Sequence, residues 1–178
     1  ISISLKGIDA ADYETARNLM VKVVNEEARR FQFLTESSRL TDTDKMLFGQ
    51  LLQKEMDDET LFCSLRELTE LLRKHYEKQV IVLIDEYDVP VAKSNSHGYY
   101  LEMLDVMKGL LQVLKDNQAL DFAVITGCLK IAKESIFTGT NNLVSDSIMD
   151  SRFNEYFGFI QSDVDRILKD AEAENYAE

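Results

Sequence analysis

The apolar positions change period along the chain, and each change predicts an element. Ile1, Ile3 and Leu5 alternate with Ser2, Ser4 and Lys6, the period of two of a strand buried on one face, and Gly7 ends it. Ala16, Leu19, Met20, Val23, Val24, Ala28, Phe31 and Leu34 then recur at helical spacing, with Asp12 near the start. Thr41, Asp42, Thr43 and Asp44 offer N-cap chemistry for a short helix carrying Leu47, Leu51 and Leu52. A longer helix opens on Asp57, Asp58 and Glu59 and closes on Arg73, Lys74 and Lys78, both signs favoured by the helix dipole. Leu61, Leu65, Leu68, Leu72 and Tyr76 line its expected buried face.

Val80 to Ile84 breaks this pattern with an unbroken apolar run, which predicts a strand buried on both faces of a parallel sheet. Residues 86–97, with Pro90, Asn95 and His97, read as a polar loop. A helix is expected over about 99–115, striped by Leu101, Leu104, Met107, Leu111 and Leu114. Phe122 to Ile125 predicts a second apolar strand ending at Thr126-Gly127. Further expectations are a short helix near 130–136, a Gly/Asn turn over 138–142 and a strand around 156–159. A terminal helix over about 162–175 is expected to be capped by Ser162, Asp163, Val164 and Asp165. Strands alternating with helices give an α/β class with a mostly parallel sheet in a three-layer sandwich, joined by right-handed crossovers.

Composition narrows the function. The 178 residues suffice for one domain with a sizeable core, and residues 1–178 read as a single partial domain. A net charge of −12 argues against a nucleic-acid surface spread over this domain. Cys63 and Cys128 lack ligand-like spacing and are expected to be buried free thiols in a reducing, cytoplasmic setting. His75 and His97 are isolated too, so neither suggests a metal site. The sequence contains no apolar run of membrane-spanning length. The chain starts at Ile1 in mid-pattern, so a longer parent protein is expected.

The chemistry gathers where the apolar run ends, at Asp85 and Glu86. In sheets of this kind ligands bind beyond the carboxyl ends of the strands. Two adjacent acids there suit a hard divalent cation and a general base. Asp88 either adds a third acid or caps the loop.

VIVLIDEYDVP at Val80–Pro90, GYY at Gly98–Tyr100, LLQVLKDN, AVITGCLKIAKESIFTGTNNL at Ala123–Leu143 and FNEYFGF together resemble the AAA-ATPase-like family of bacterial proteins. That resemblance implies a P-loop ATPase fold of the additional-strand, catalytic-Glu type, often followed by a PD-(D/E)xK nuclease-like domain. It also implies that Asp85 and Glu86 are a Walker B pair, Asp85 holding Mg²⁺ and Glu86 acting as base toward the water that attacks ATP. Thr126 then stands at a sensor position, and Lys130 where the family usually has a basic residue. Asn141 and Asn142 belong to the family pattern but also suit a turn.

The phosphate-cradling Gly-Lys-Ser/Thr loop is missing, since none of the seven glycines precedes a lysine. In the family that loop lies upstream of the strand matching Ile1–Leu5. The expected fold therefore lacks its first strand and phosphate loop, and the bared sheet edge is expected to invite self-association or rearrangement over 143–178. A non-catalytic interaction domain with the same fold is the alternative function. A nuclease is disfavoured, because no (Asp/Glu)-x-Lys tripeptide lies within an apolar strand. Losing several charged phosphate contacts costs on the order of 5 kcal/mol, about 10⁴-fold in affinity. Calorimetry on the isolated chain is expected to show no tight Mg-ATP binding; a submicromolar dissociation constant would contradict this.

Overall fold

In the computed structural model, Ser2–Ser4 (β1), Val80–Asp85 (β2) and Leu120–Ile125 (β3) form a parallel sheet of order β1-β2-β3. The structure describes residues 1–128, 143–147, 150, 152 and 158–173. They divide between two units, 1–140 and 141–178, and the sheet lies in the first. In chain order the first unit also holds Tyr13–Arg29 (α1), Asp42–Leu51 (α2), Asp58–Tyr76 (α3), Val89–His97 (α4) and Tyr100–Leu110 (α5). The second holds Gln161–Asp170 (α6). The class is α/β with a small open sheet.

Local chemistry explains the helix starts. Asp12, Thr41 and Asp57 are the N-caps of α1, α2 and α3. Asp12 Oδ1 accepts from Thr15 N–H at 2.8 Å and Asp57 Oδ1 from Thr60 N–H at 2.8 Å. Thr41 and Asp44 exchange reciprocal bonds in a capping box. Lys74 Nζ reaches Asp44 Oδ1 at 2.6 Å, tying the start of α2 to the end of α3.

Several expectations need correction. The loop expected over 86–97 contains α4. Pro90 sits in its first turn, where a missing N–H costs nothing, and Gly98 at φ 83° ends it in a left-handed cap. The helix expected over about 99–115 is α5 followed by a 3-10 turn, Leu111–Leu114. Leu101 is 70% exposed, while Met103, Met107 and Leu110 are fully buried. The last helix begins at Gln161, so Ser162 lies inside it, and Asp163 Oδ2 accepts from the Ile160 N–H at 3.3 Å.

The sheet is buried on one face only. Val82 and Ile84 are buried, but Ile81 and Leu83 are 42% exposed, Phe122 50% and Val124 46%. Period-two alternation sends the first pair toward the helical core and the others to the opposite face. The expected burial of β2 on both faces is thus not what the first unit shows. The thiols also differ from expectation: Cys128 is exposed because it lies beyond the end of β3, and Cys63 is only partly buried on α3. The short helix near 130–136 and the turn over 138–142 lie outside the described residues, as do Tyr156 and Phe157 of the strand expected around 156–159, while Gly158 and Phe159 are not in a strand.

Among the described strands β1 and β3 are the sheet edges. At β1 the outward Ser2 N–H donates to Glu27 Oε1 at 2.8 Å. Glu27 is buried on α1, and Arg30 holds its other oxygen at 2.8 Å.

Glycines at two helix positions have opposite expected effects. A Cβ at Gly109 would stand 2.4–2.8 Å from Phe62 Cγ, Cβ and Cδ1, so Gly109 sets how closely α5 approaches α3. Nothing lies within 4 Å of a Cβ at Gly49, inside α2. We predict that Gly109→Ala destabilises by about 1–3 kcal/mol and that Gly49→Ala stabilises by about 0.5–1 kcal/mol. Urea unfolding midpoints check both.

A second prediction concerns acid. Hydrogen bonds from the Thr15 backbone and hydroxyl hold Asp12 below the ordinary carboxylate range, and those from Thr60 do the same for Asp57. Burial pushes Asp44 up, but bonds from Lys74 and Thr41 outweigh it and leave it lowered. Depressed folded values mean that their stabilisation is complete above the unfolded carboxylate value of about 3.9. It is lost as pH falls through the lowered folded values. Urea midpoints should hold near neutrality and fall below about pH 4, and by less in Asp44→Asn.

Candidate functional site

Parallel pairing decides which side chains meet at the top of the sheet. Ile84 is opposite Ile125, and Ser4 is opposite Asp85. The next pair brings Asp85 beside Thr126, and the Thr126 N–H donates to the Ile84 carbonyl at 2.9 Å. Thr126 Oγ1 donates a short hydrogen bond to Asp85 Oδ1. Asp85 shares the strand parity of Ile81 and Leu83, so its carboxylate stands at the head of the exposed apolar face.

Glu86 does not continue that alternation. Its φ is 55°, a left-handed conformation that an L-residue with a Cβ adopts at a cost of roughly 1–2 kcal/mol. Glu77 and Glu172 also have positive φ, but they lie at helix C-termini, where such geometry terminates a helix. Glu86 instead turns the chain out of a strand, and its carbonyl accepts from Val89 N–H at 3.2 Å. Backbone strain between a strand and the helix after it is characteristic of functional turns.

The turn is tied to the segment after β3. Tyr87 N–H donates to the Thr126 carbonyl at 3.1 Å, and Cys128 N–H to Asp88 Oδ1 at 3.3 Å. Asp88 is buried, at 3% exposure. Sequence reasoning offers it as a third acid or a loop cap; its side chain makes no cap bond to α4 and instead accepts from the Cys128 N–H on the segment after β3. Sequence reasoning does not single out Gly127 at all. A Cβ there would stand 2.5 Å from Asp88 Oδ1 and 2.7 Å from the Tyr87 ring. The only available signal is a glycine directly after an apolar strand, which most often marks a plain turn.

The structure therefore brings Asp85, Glu86 and Thr126 together at the ends of two adjacent strands. Lys130, Asn141 and Asn142 lie outside the described residues. Among the described residues no group of three or more His, Cys, Asp or Glu side chains is arranged to hold a metal ion. The carboxylates of Asp85 and Glu86 are hard oxygen donors. They suit an ion such as Mg²⁺, which usually takes one or two protein carboxylates together with water and substrate phosphates.

A family model described as predicted AAA-ATPase, of the AAA-ATPase-like kind, matches residues 1–137, a span containing all of this geometry. The chain belongs to the AAA-ATPase-like family. It is also 36% identical over 104 residues to a protein of Azotobacter chroococcum mcd 1 described as an uncharacterized protein in the vnfD 5′ region. That match covers 56% of this chain and 20% of the relative, so the chain spans about a fifth of the relative's length. No solved structure matches. None of the described helices of this AAA-ATPase-like chain is long and apolar enough to cross a membrane.

The backbone at Glu86 yields a prediction. Glu86→Gly relieves the left-handed strain and is expected to raise stability by up to about 1 kcal/mol, whereas Glu86→Ala keeps the Cβ and gains nothing. Urea unfolding of the two variants separates strain from loss of charge.

Proposed function

We propose that this AAA-ATPase-like chain is the Walker B and sensor-bearing part of an ATP-binding and ATP-hydrolysing domain. In this reading its sheet belongs to a P-loop fold whose phosphate loop is supplied from elsewhere in a parent protein. The observation that carries the proposal is the Thr126 hydroxyl hydrogen-bonded to Asp85 across paired strand ends, with Glu86 held next to them in a strained turn.

Each residue then has a task. Asp85, oriented by Thr126, would hold Mg²⁺ through water. The bound ion would neutralise charge on the phosphates. Glu86 accepts a proton from the attacking water and orients it. Thr126 polls the site through its bond to Asp85, and Lys130 would place a cation near the phosphates. An interaction domain that keeps the fold without turnover is the alternative, and a measurement of turnover separates the two.

The same reading has a physical corollary. Ile81, Leu83, Phe122 and Val124 form an apolar face beside the β3 edge, a combination that promotes association. The isolated chain is expected to self-associate in a concentration-dependent way by light scattering. A clean monomer over the whole accessible range would count against it.

The decisive test is turnover in the full-length protein. Magnesium-dependent ATP hydrolysis should be measurable, and Glu86→Gln should lower it by about 10²–10⁴-fold. A wild-type protein without activity would favour the interaction-domain alternative.

A further inference from the structure

Asp88 occupies the position that begins α4, and its carbonyl accepts from Ala92 N–H at 2.9 Å. A carboxylate in that place ordinarily turns back to cap the open N–H groups of its own helix. Asp88 does not cap α4 with its side chain. It is buried and directs Oδ1 across to the Cys128 N–H, on the segment that leaves β3. Gly127 permits this approach, since any Cβ would fall on Asp88 Oδ1 and the Tyr87 ring. The Tyr87 N–H completes the tie by donating to the Thr126 carbonyl. Both segments that leave the paired strands are thus closed on each other, and one of them is rooted in α4, which packs on α5.

We infer that Asp88 is a positioning residue, locking the turn that carries Glu86 to the Thr126–Cys128 segment so that base and sensor keep fixed registry. The kinetic consequence rests on the ATPase reading proposed for this chain; the contact itself does not. A shift of the order of 1 Å in a reacting group can cost about 100-fold in rate. An amide oxygen in the same place accepts the same hydrogen bond from Cys128.

The test uses the full-length protein. Asp88→Ala is expected to lower kcat by about 10–100-fold while leaving KM for ATP within about threefold. Asp88→Asn should keep kcat within about threefold of wild type, because its Oδ1 still accepts from Cys128. Gly127→Ala should reproduce the Asp88→Ala defect, and the double variant should be no worse than either alone. Wild-type kcat in Asp88→Ala, inactivity of Asp88→Asn or additive losses in the double variant would each overturn the inference. If the wild-type protein hydrolyses no ATP, the ATPase reading has failed separately, and amide hydrogen exchange decides the contact. Exchange at Cys128 and Tyr87 should then quicken in Asp88→Ala and stay at the wild-type rate in Asp88→Asn; unchanged exchange in Asp88→Ala would overturn the inference.

Discussion

Everything at the top of the sheet depends on the register between β2 and β3. Parallel strands end on the same side, and the pairing of Ile84 with Ile125 fixes which residues meet next. Asp85 must meet Thr126, and the turn at Glu86 must run beside Gly127. A slip of one residue would exchange the faces of a whole strand, moving Val82 and Ile84 out of the core. The apolar helices that bury these two side chains therefore also hold the carboxylate of Asp85 in place, although none of them needs to touch it.

Much of this was legible in the chain. The apolar runs located β2 and β3 because strands of a parallel sheet contain few polar interruptions. The cap at Thr41 was readable because a side-chain oxygen before a helical stripe has a specific task, and Asp12 and Asp57 were legible as residues at helix starts, though not as caps. The place of Asp85 and Glu86 at a strand end was readable from the apolar run before them, whereas Thr126 was picked out only by the family resemblance. Helix α4 was not found: its stripe is short, and Pro90 looks like a breaker until it is seen in a first turn. Burial on one face was also hidden, because Ile81 and Leu83 are as apolar as Val82 and Ile84. Hydrophobicity reports that a position suits a core, not that a covering layer is present. Which group Asp88 would bond was not readable, since the direction of its side chain is set by the Cys128 N–H on the segment after β3.

The left-handed backbone at Glu86 sits between two well-satisfied regions. Before it, Ile84 pairs with both Ile3 and Ile125, although the β2–β3 register shifts between Val80 and Val82; after it, α4 and its packing on α5 fix the chain. A strained residue persists only when its surroundings leave it no alternative. Here the Tyr87 and Cys128 hydrogen bonds supply that constraint from the neighbouring strand. The same contacts thus fix both the strained turn and its place beside Thr126.

The carboxylate of Glu27 gives the sheet a polarity across its strands. It occupies the outward Ser2 N–H with a buried charge that Arg30 also holds. An incoming strand at β1 would have to displace that charge, whereas β3 is the other edge of the described sheet. The two edges of the described sheet therefore differ in kind: a strand approaching β1 meets a backbone donor already taken by a carboxylate, and one approaching β3 meets the flank of an apolar face.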